Sequence, residues 1–191
     1  MFHPYKVNGD WRERIVSLFT AGQPLLSGTL VDINLSDTVA VGTNASVGFT
    51  TMRAGSVIAA SITSSSLFPR ELGIAIPSVT EDGPSFEERV LQLAASYMTI
   101  PVGYAIAVFK PSPGDIIASD QYVGALSSDN GAAGILDITN AANYGAACGV
   151  FNGRFRLKTG SDTLRARYIG NTTAPTGFGS AQGQVALFEF N

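Results

Sequence analysis

The sequence predicts an all-β protein, a jelly-roll-like antiparallel β-sandwich with one short capped helix. Roughly eight to ten short segments have the pattern of strands, several of them with a period of two, and turn residues separate them. Residues 36–66 are rich in Ser, Thr, Ala and Gly but keep hydrophobes at strand spacing. No period of about 20 to 50 residues recurs, which argues against a solenoid. A chain of 191 residues is long enough for one such domain with a full core.

The N-terminal segment is predicted to be an arm followed by a short helix, over about residues 1–20. Residues 1–9 show no periodicity, whereas Asp10 and Glu13 have the spacing of a capping box. Trp11, Ile15 and Phe19 would then share one helix face. This predicts a unit of residues 1–22 before a single sandwich domain of residues 23–191, with Trp11 as a candidate contact to a neighbour.

The middle of the chain is predicted to contain short strands and one internal helix. The strand candidates are residues 30–35, residues 38–41 after a turn at Ser36-Asp37, the surroundings of Val57, and residues 72–76. Ser85 and Glu88 form a second capping box, and Phe86, Val90, Leu93 and Tyr97 follow at helical spacing. This helix should cover about residues 86–98 and stop before Pro101.

The C-terminal half is predicted to be strands joined by tight turns. Residues 102–109 and 185–190 are apolar on both faces, as in strands that are covered on both sides, and Glu189 in the second would be available to a cation. The turn residues 110–115 separate the first of these strands from further short strands, which are Ile116 and its neighbours, residues 122–126 and residues 135–138.

Residues 148–169 are predicted to form a basic three-stranded meander. Asn152-Gly153 is a strong hairpin signal, and residues 159–162 would make the second turn. Counting from these turns places Val150 opposite Phe155 and Ala166, and Cys148 opposite Leu157 and Leu164. The other face would then pair Arg156 with Arg165 and Arg154 with Arg167.

Directly opposed arginines destabilise a sheet, so this face should meet an anionic partner. The partner could be another part of the chain, a second subunit or a ligand, and a protein neighbour is the preferred interpretation. A solvated outer face is the alternative. The candidate interface residues are Arg154, Arg156, Lys158, Arg165, Arg167 and Trp11.

Charge is scarce and uneven along the chain. Charged residues make up 14%, against roughly 25% in an average soluble domain, so much of the surface should be covered by neighbours. The net charge of −3 argues against general nucleic-acid binding. Residues 111–153 carry four acids and no base, and residues 154–167 then carry five bases. This asymmetry indicates pairing within or between subunits.

Few residues could support catalysis or a cofactor. The single histidine, His3, lies in the predicted arm, so no base is available for a nucleophilic triad, and no metal-binding cluster or nucleotide motif is present. The lone Cys148 excludes an intramolecular disulfide and fits synthesis in a reducing compartment. We expect no cofactor, no signal peptide and no membrane span. Carboxylate pairs could in principle serve a glycosidase, but turn capping explains them more simply; they are Asp115, Asp120, Asp129 and Asp137.

The chain resembles the head-decoration (cement) and related small virion proteins of tailed bacteriophages. The resemblance is carried by charge-poor strands such as residues 53–58, by the ending at residues 164–173 and by the final strand at residues 185–190. It implies a jelly-roll fold and a non-enzymatic homotrimer that binds the major capsid protein on the outside of the capsid after synthesis in the host cytoplasm. The alternative is a carbohydrate-binding β-sandwich, for which Tyr122, Tyr144 and Phe178 are the loop aromatics that could stack on a sugar.

Overall fold

The computed structural model describes residues 2–21, 25–26, 28–39, 54–59, 72–77, 99–100, 105–160, 162–173 and 184–191. Within these ranges the protein is built of strands, with three short 3-10 helices at Trp11–Arg14, Ser127–Asp129 and Ala141–Asn143. Nearly all strand pairs are antiparallel, so the all-β prediction is confirmed. No helix in the described ranges is long and apolar enough to cross a membrane.

Thirteen strands are found among the described residues. They are β1 (Phe2–Lys6), β2 (Ile15–Ala21), β3 (Leu25–Leu26), β4 (Leu30–Val39), β5 (Ala54–Ala59), β6 (Leu72–Pro77), β7 (Thr99–Ile100), β8 (Ala105–Phe109), β9 (Ile116–Ser119), β10 (Ala147–Phe151), β11 (Arg154–Leu157), β12 (Ala166–Thr173) and β13 (Gln184–Phe190). Most of the predicted strands are recovered, and β13 is central as expected from its two apolar faces.

The strands form two main sheets. One is a six-stranded antiparallel sheet in the order β1-β9-β13-β12-β10-β11, and the other is a five-stranded closed barrel in the order β2-β5-β4-β6-β8. Within the barrel, β2 and β5 run parallel while the other described pairs are antiparallel. The short strands β3 and β7 pair separately.

One hydrophobic core joins the two sheets. The barrel contributes the buried Leu30, Ile74 and Phe109, which cluster with side chains of the six-stranded sheet such as Phe155 and Phe188. The rings of Phe155 and Phe188 stack with centroids 3.9 Å apart. Burying large aromatic side chains in this way is a main source of folding free energy. The core therefore fixes one face of the six-stranded sheet and leaves the other face outward.

The predicted N-terminal arm and helix are wrong. Residues 2–6 form β1, which pairs with β9, and the helical residues amount to the single 3-10 turn Trp11–Arg14. Residues 15–21 then continue as β2, with Ile15 opposite Phe109. The segment Ile15-Val16 is β-branched, and pairing with β8 outweighs the capping signal at Asp10. Both N-terminal strands are thus integrated into the sheets.

Three local predictions are also wrong. The expected turn at Ser36-Asp37 lies inside β4, which continues through it with an irregularity in its register. Residues 122–126 and 135–138 are turns and extended loop, apart from one bridge between Tyr122 and Phe155. The predicted helix at about residues 86–98 lies outside the described residues, and the jelly-roll topology stays a prediction.

Candidate functional site: the outer face of the six-stranded sheet

The hairpin that begins the basic segment forms as the sequence predicts. Asn152 and Gly153 have φ values of 48° and 75°, the two positive values that a type I′ turn needs. Val150 lies opposite Phe155, and Cys148 lies opposite Leu157. Val150, Phe155 and Cys148 are buried, and Leu157 is partly buried against the same core. The outer face, as we call the opposite side, therefore carries Arg154 and Arg156.

The third strand lies on the other side of β10, so the predicted meander order is wrong. Cys148 pairs with Ala166 rather than Leu164, and Ala147 pairs with Arg167. The chain crosses over after β11 and returns beside β10, which places β10 between the two arginine-bearing strands. The predicted direct pairs Arg156–Arg165 and Arg154–Arg167 do not form, because Arg156 faces Gly149 and Arg154 faces Phe151.

Gly149 makes room for a carboxylate beside Arg156. A Cβ atom at this glycine would lie 2.9 Å from Asp162 Cβ, closer than real Cβ contacts, and 3.1 Å from its Oδ2, which is unusually tight. Asp162 accepts hydrogen bonds from Arg156 Nε at 2.8 Å and from a terminal nitrogen of Arg156 at 2.7 Å. It also accepts from the amide and hydroxyl of Thr159, both at 3.1 Å. The predicted turn at residues 159–162 therefore supplies the anion for Arg156.

Arg154 is neutralised in the same way by a more distant residue. Its two terminal nitrogens donate to the two carboxylate oxygens of Asp129 at 2.9 and 2.8 Å. Asp129 is buried and also accepts from the amides of Gly124 and Leu126, at 2.8 and 3.1 Å. Bidentate pairing of this kind fixes geometry as well as charge.

The loop that contains Asp129 is fastened along the edge of β11. The Phe155 amide donates to Gln121 O at 2.9 Å, and the Val123 amide donates to Phe155 O at 2.8 Å. Further along, the Leu157 amide donates to Gly134 O at 2.9 Å. The Asp129–Arg154 pair and these backbone bonds hold the loop and β11 as one unit, and the Asp162–Arg156 pair adds the turn at residues 159–162.

Both paired carboxylates titrate below their ordinary range. Desolvation alone would raise the pKa of Asp129, but hydrogen bonds from Arg154 and two backbone amides lower it overall. Desolvation likewise raises the pKa of Asp162, and the hydrogen bonds from Arg156 and Thr159 outweigh it, so the net pKa is lowered. Both groups are therefore charged at neutral pH.

The other predicted interface residues are placed differently. Arg167 is exposed and donates to Gly145 O at 3.3 Å, and Lys158 is exposed and donates to Gly160 O at 3.2 Å. Arg165 is partly buried, and its Nε has no hydrogen-bond partner. Trp11 lies in the 3-10 turn directly before β2, which is far from the basic strands in sequence.

Two of the cations, Arg167 and Lys158, lie in one row of residues that crosses the sheet from β13 to the end of β11. Glu189 lies opposite Arg167, which lies opposite Ala147, and Lys158 donates its amide to Ala147 O at 2.8 Å. No ion pair forms within 4.0 Å between Arg167 and Glu189 in the described structure. The interface prediction thus divides into two paired arginines and three cations without a carboxylate among the described residues.

The remaining acids of the loop region have structural partners. Asp115 is fully buried and accepts from Arg14, from the Asn8 amide at 3.1 Å and from the Ser112 amide at 2.7 Å. Asp137 is exposed and accepts from the amide and hydroxyl of Thr139 at 2.9 and 2.6 Å. The bonds of Asp137 to Thr139 and of Asp115 to Ser112 are turn capping, the simpler interpretation offered by the sequence. The bonds of Asp115 to Arg14 and Asn8 join distant parts of the chain. No group of potential metal ligands occurs in the part of the chain that the structure describes.

The sugar-stacking aromatics proposed from the sequence are not all accessible to a ligand. Tyr122 is 2% exposed, and burial raises its pKa to about 12, with Asp120 and Asp137 adding to the shift. Tyr144 is 53% exposed, while Phe178 lies outside the described residues. Other exposed apolar side chains are Tyr5, Leu26, Leu126, Ile135 and Phe151.

Sequence reasoning missed the partners of the two arginines. It identified the acidic stretch before the basic one, but it did not connect Asp129 with Arg154 or Asp162 with Arg156. A usable signal was present at Asp162, because the turn it closes returns the carboxylate to the strand it has just left. Searches of family models, curated proteins and solved structures found nothing that matches this chain.

Proposed function

We propose that this chain is a non-enzymatic structural protein of a virion, which decorates or cements a phage capsid through protein–protein contacts. The observation that carries the proposal is a set of exposed apolar side chains, which includes Leu126, Tyr144 and Phe151, in a chain with only 14% charged residues. Large apolar side chains that remain exposed on a charge-poor surface favour association with other proteins.

The contacts of the buried carboxylates support a structural role. Two carboxylates that might serve a glycosidase, Asp115 and Asp129, are buried and hold backbone amides and arginines. A side chain that must hold a turn together is poorly suited to exchange protons with a substrate. The proposed partners are copies of the chain in a homotrimer and the major capsid protein, with the jelly-roll as the finer fold proposal and the capsid exterior as the location.

Gold-labelled antibody against the purified chain, applied to intact virions of its source, tests this proposal directly. We expect label on the head surface, and we expect the purified protein in solution to have a mass above that of a monomer. Label absent from heads, or confined to the tail, would contradict the decoration role. A monomer that binds glycans and does not attach to shells would instead support the carbohydrate-binding alternative.

A further inference from the structure

An exposed aromatic ring lies among the paired arginines of the outer face. Phe151 lies opposite Arg154 in the hairpin, and residues directly opposite each other in an antiparallel pair share one face of the sheet. The guanidinium carbon of Arg156 lies 4.5 Å from the centre of the Phe151 ring. A guanidinium at this distance attracts the ring and orients it. The ring is still 40% exposed, so part of it is open to a partner.

Two more exposed apolar side chains lie next to the Asp129–Arg154 pair. The amide of Leu126 donates to Asp129 Oδ2, the oxygen that also accepts from Arg154. The amide of Gly124 donates to the same oxygen, and a Cβ atom on this glycine would lie 3.1 Å from Ile135 Cγ2. Leu126 and Ile135 are both exposed. The neutral patch, as we call this surface, consists of Leu126, Ile135, Phe151, Arg154 and Arg156.

The neutral patch has no net charge, because each of its arginines has an aspartate of its own. Asp129 and Asp162 are both ionised at neutral pH, so two positive and two negative charges cancel. Covering such a patch leaves no unpaired charge away from water, whereas covering a lone cation would. Both guanidinium groups are also held in place before a partner arrives, which lowers the ordering cost of binding. The patch is therefore prepared for an uncharged partner.

The two arginines keep hydrogen-bond donors that their aspartates do not use. The bonds to the aspartates leave out Nε of Arg154 and Nη1 of Arg156. The carboxylates themselves are buried, so the patch offers donors rather than acceptors. Two copies that met through this same patch would oppose donor to donor, which argues against an isologous contact. A complementary surface is uncharged and presents carbonyl oxygens beside an apolar side chain.

We infer that the neutral patch docks an uncharged segment of the major capsid protein, with an apolar side chain of that segment against Phe151 and its backbone carbonyls against the unused donors of Arg154 and Arg156. The inference rests on the proposed function, because it names the surface through which the chain would hold the shell. The two arginines contribute as fixed donors within neutral pairs and not as free positive charges. Attachment should accordingly depend little on salt, since screening weakens interactions between unpaired charges.

Attachment of the purified chain to heads tests this docking surface. Heads from virions of its source are stripped of the chain, and labelled protein is added back to measure the Kd by co-sedimentation. Phe151→Ala should raise the Kd by about tenfold or more, as the loss of an aromatic anchor does. Leu126→Asp places an unpaired charge in the patch without altering the hairpin, and it should weaken attachment by a similar factor. The wild-type Kd should change by less than about threefold between about 0.05 and 0.5 M salt.

Tyr5→Ala is the matched control for the loss of an exposed ring. Tyr5 is also exposed and aromatic, but it lies on β1, at the opposite edge of the sheet from β11. Its replacement should leave the Kd within about twofold of the wild type. A loss comparable to that of Phe151→Ala would overturn the assignment to the neutral patch. The urea midpoint of each variant checks that the fold is retained.

The outcomes separate this inference from the proposed function. Labelled heads together with unchanged attachment of Phe151→Ala and Leu126→Asp would overturn the docking surface and leave decoration standing. Unlabelled heads would overturn the proposed function, and the inference would fall with it. If the two variants instead lost self-association, or lost binding to a neutral glycan, the patch would belong to a second copy or to a sugar, and the inference would be overturned. Attachment that weakens more than about tenfold over the same salt range would also overturn it, because unpaired charges would then hold the chain.

Discussion

Replacing Asp162 by Ala should destabilise the protein measurably, because this carboxylate joins a turn to a strand. Asp162 and Arg156 have side chains that are 5% and 13% exposed, so their pairing is largely shielded from water. The substitution removes two charge-assisted hydrogen bonds from Arg156 and two bonds from Thr159.

Hydrogen bonds to charged groups contribute about 1.5 to 3 kcal/mol each, but Arg156 can still reach water when its partner is lost. We therefore expect Asp162→Ala to cost about 2 to 3 kcal/mol, of a total stability of about 5 to 15 kcal/mol. Arg156→Ala should cost somewhat less, because Asp162 keeps its bonds from Thr159.

The assay is a double-mutant cycle in urea, monitored by circular dichroism. With a slope of about 2 kcal/mol per molar urea, Asp162→Ala should lower the unfolding midpoint by about 1 to 1.5 M. The coupling energy between the two positions should be about 1 to 2 kcal/mol. Asp162→Asn keeps a side chain that can accept from Thr159, and it isolates the contribution of the charge.

Lys158→Ala is the matched control, since Lys158 is exposed beside the same turn and its amine donates only to Gly160 O. Its effect should stay within about 0.5 kcal/mol. A coupling energy below about 0.5 kcal/mol, or an Asp162→Ala variant as stable as Lys158→Ala, would refute the role of this pair.

Three further outcomes follow from the same sheet. The pKa values of Asp129 and Asp162 are lowered on folding, so their contribution to stability is present above the unfolded pKa of about 3.8 and is lost as the pH falls through the lower folded pKa. The urea midpoint should therefore drop steeply between about pH 4 and pH 2, and it should drop less in the variant with Asn at both positions. Gly149→Ala should cost about 1 to 3 kcal/mol, since the added methyl group displaces Asp162; an unchanged urea midpoint would contradict this. Burial raises the pKa of the Cys148 thiol to about 11, so a disulfide reagent near pH 8 should modify it only after unfolding, and rapid labelling of the native protein would contradict its burial.

The hairpin register could be predicted because its turn is specified locally. Asn152 and Gly153 accept positive φ values, and once they occupy the turn, the pairing of Val150 with Phe155 follows by counting. The position of β12 could not be obtained in this way. Alternation along residues 164–168 is the same whether the strand lies beside β11 or beside β10, so only the path of the chain decides.

Long-range pairing also explains the other differences. Asp129 and Arg154 are 25 residues apart, and no periodicity connects them. At the N-terminus, the capping box of Asp10 and Glu13 was a local signal, but β2 gains a partner in β8 that a local signal does not reveal. Competition between local propensity and tertiary pairing was decided by pairing.

The loop along β11 has a consequence for aggregation. An uncovered edge strand offers free amide and carbonyl groups that recruit strands from other molecules. In the described structure, the backbone of Gln121, Val123 and Gly134 occupies those groups on β11, and at the opposite edge β1 contains Pro4, which has no amide to donate. Uncontrolled strand addition is thus disfavoured at both borders of the sheet. A chain poor in charge can in this way remain resistant to fibril growth while the outer face of this sheet stays open for ordered assembly.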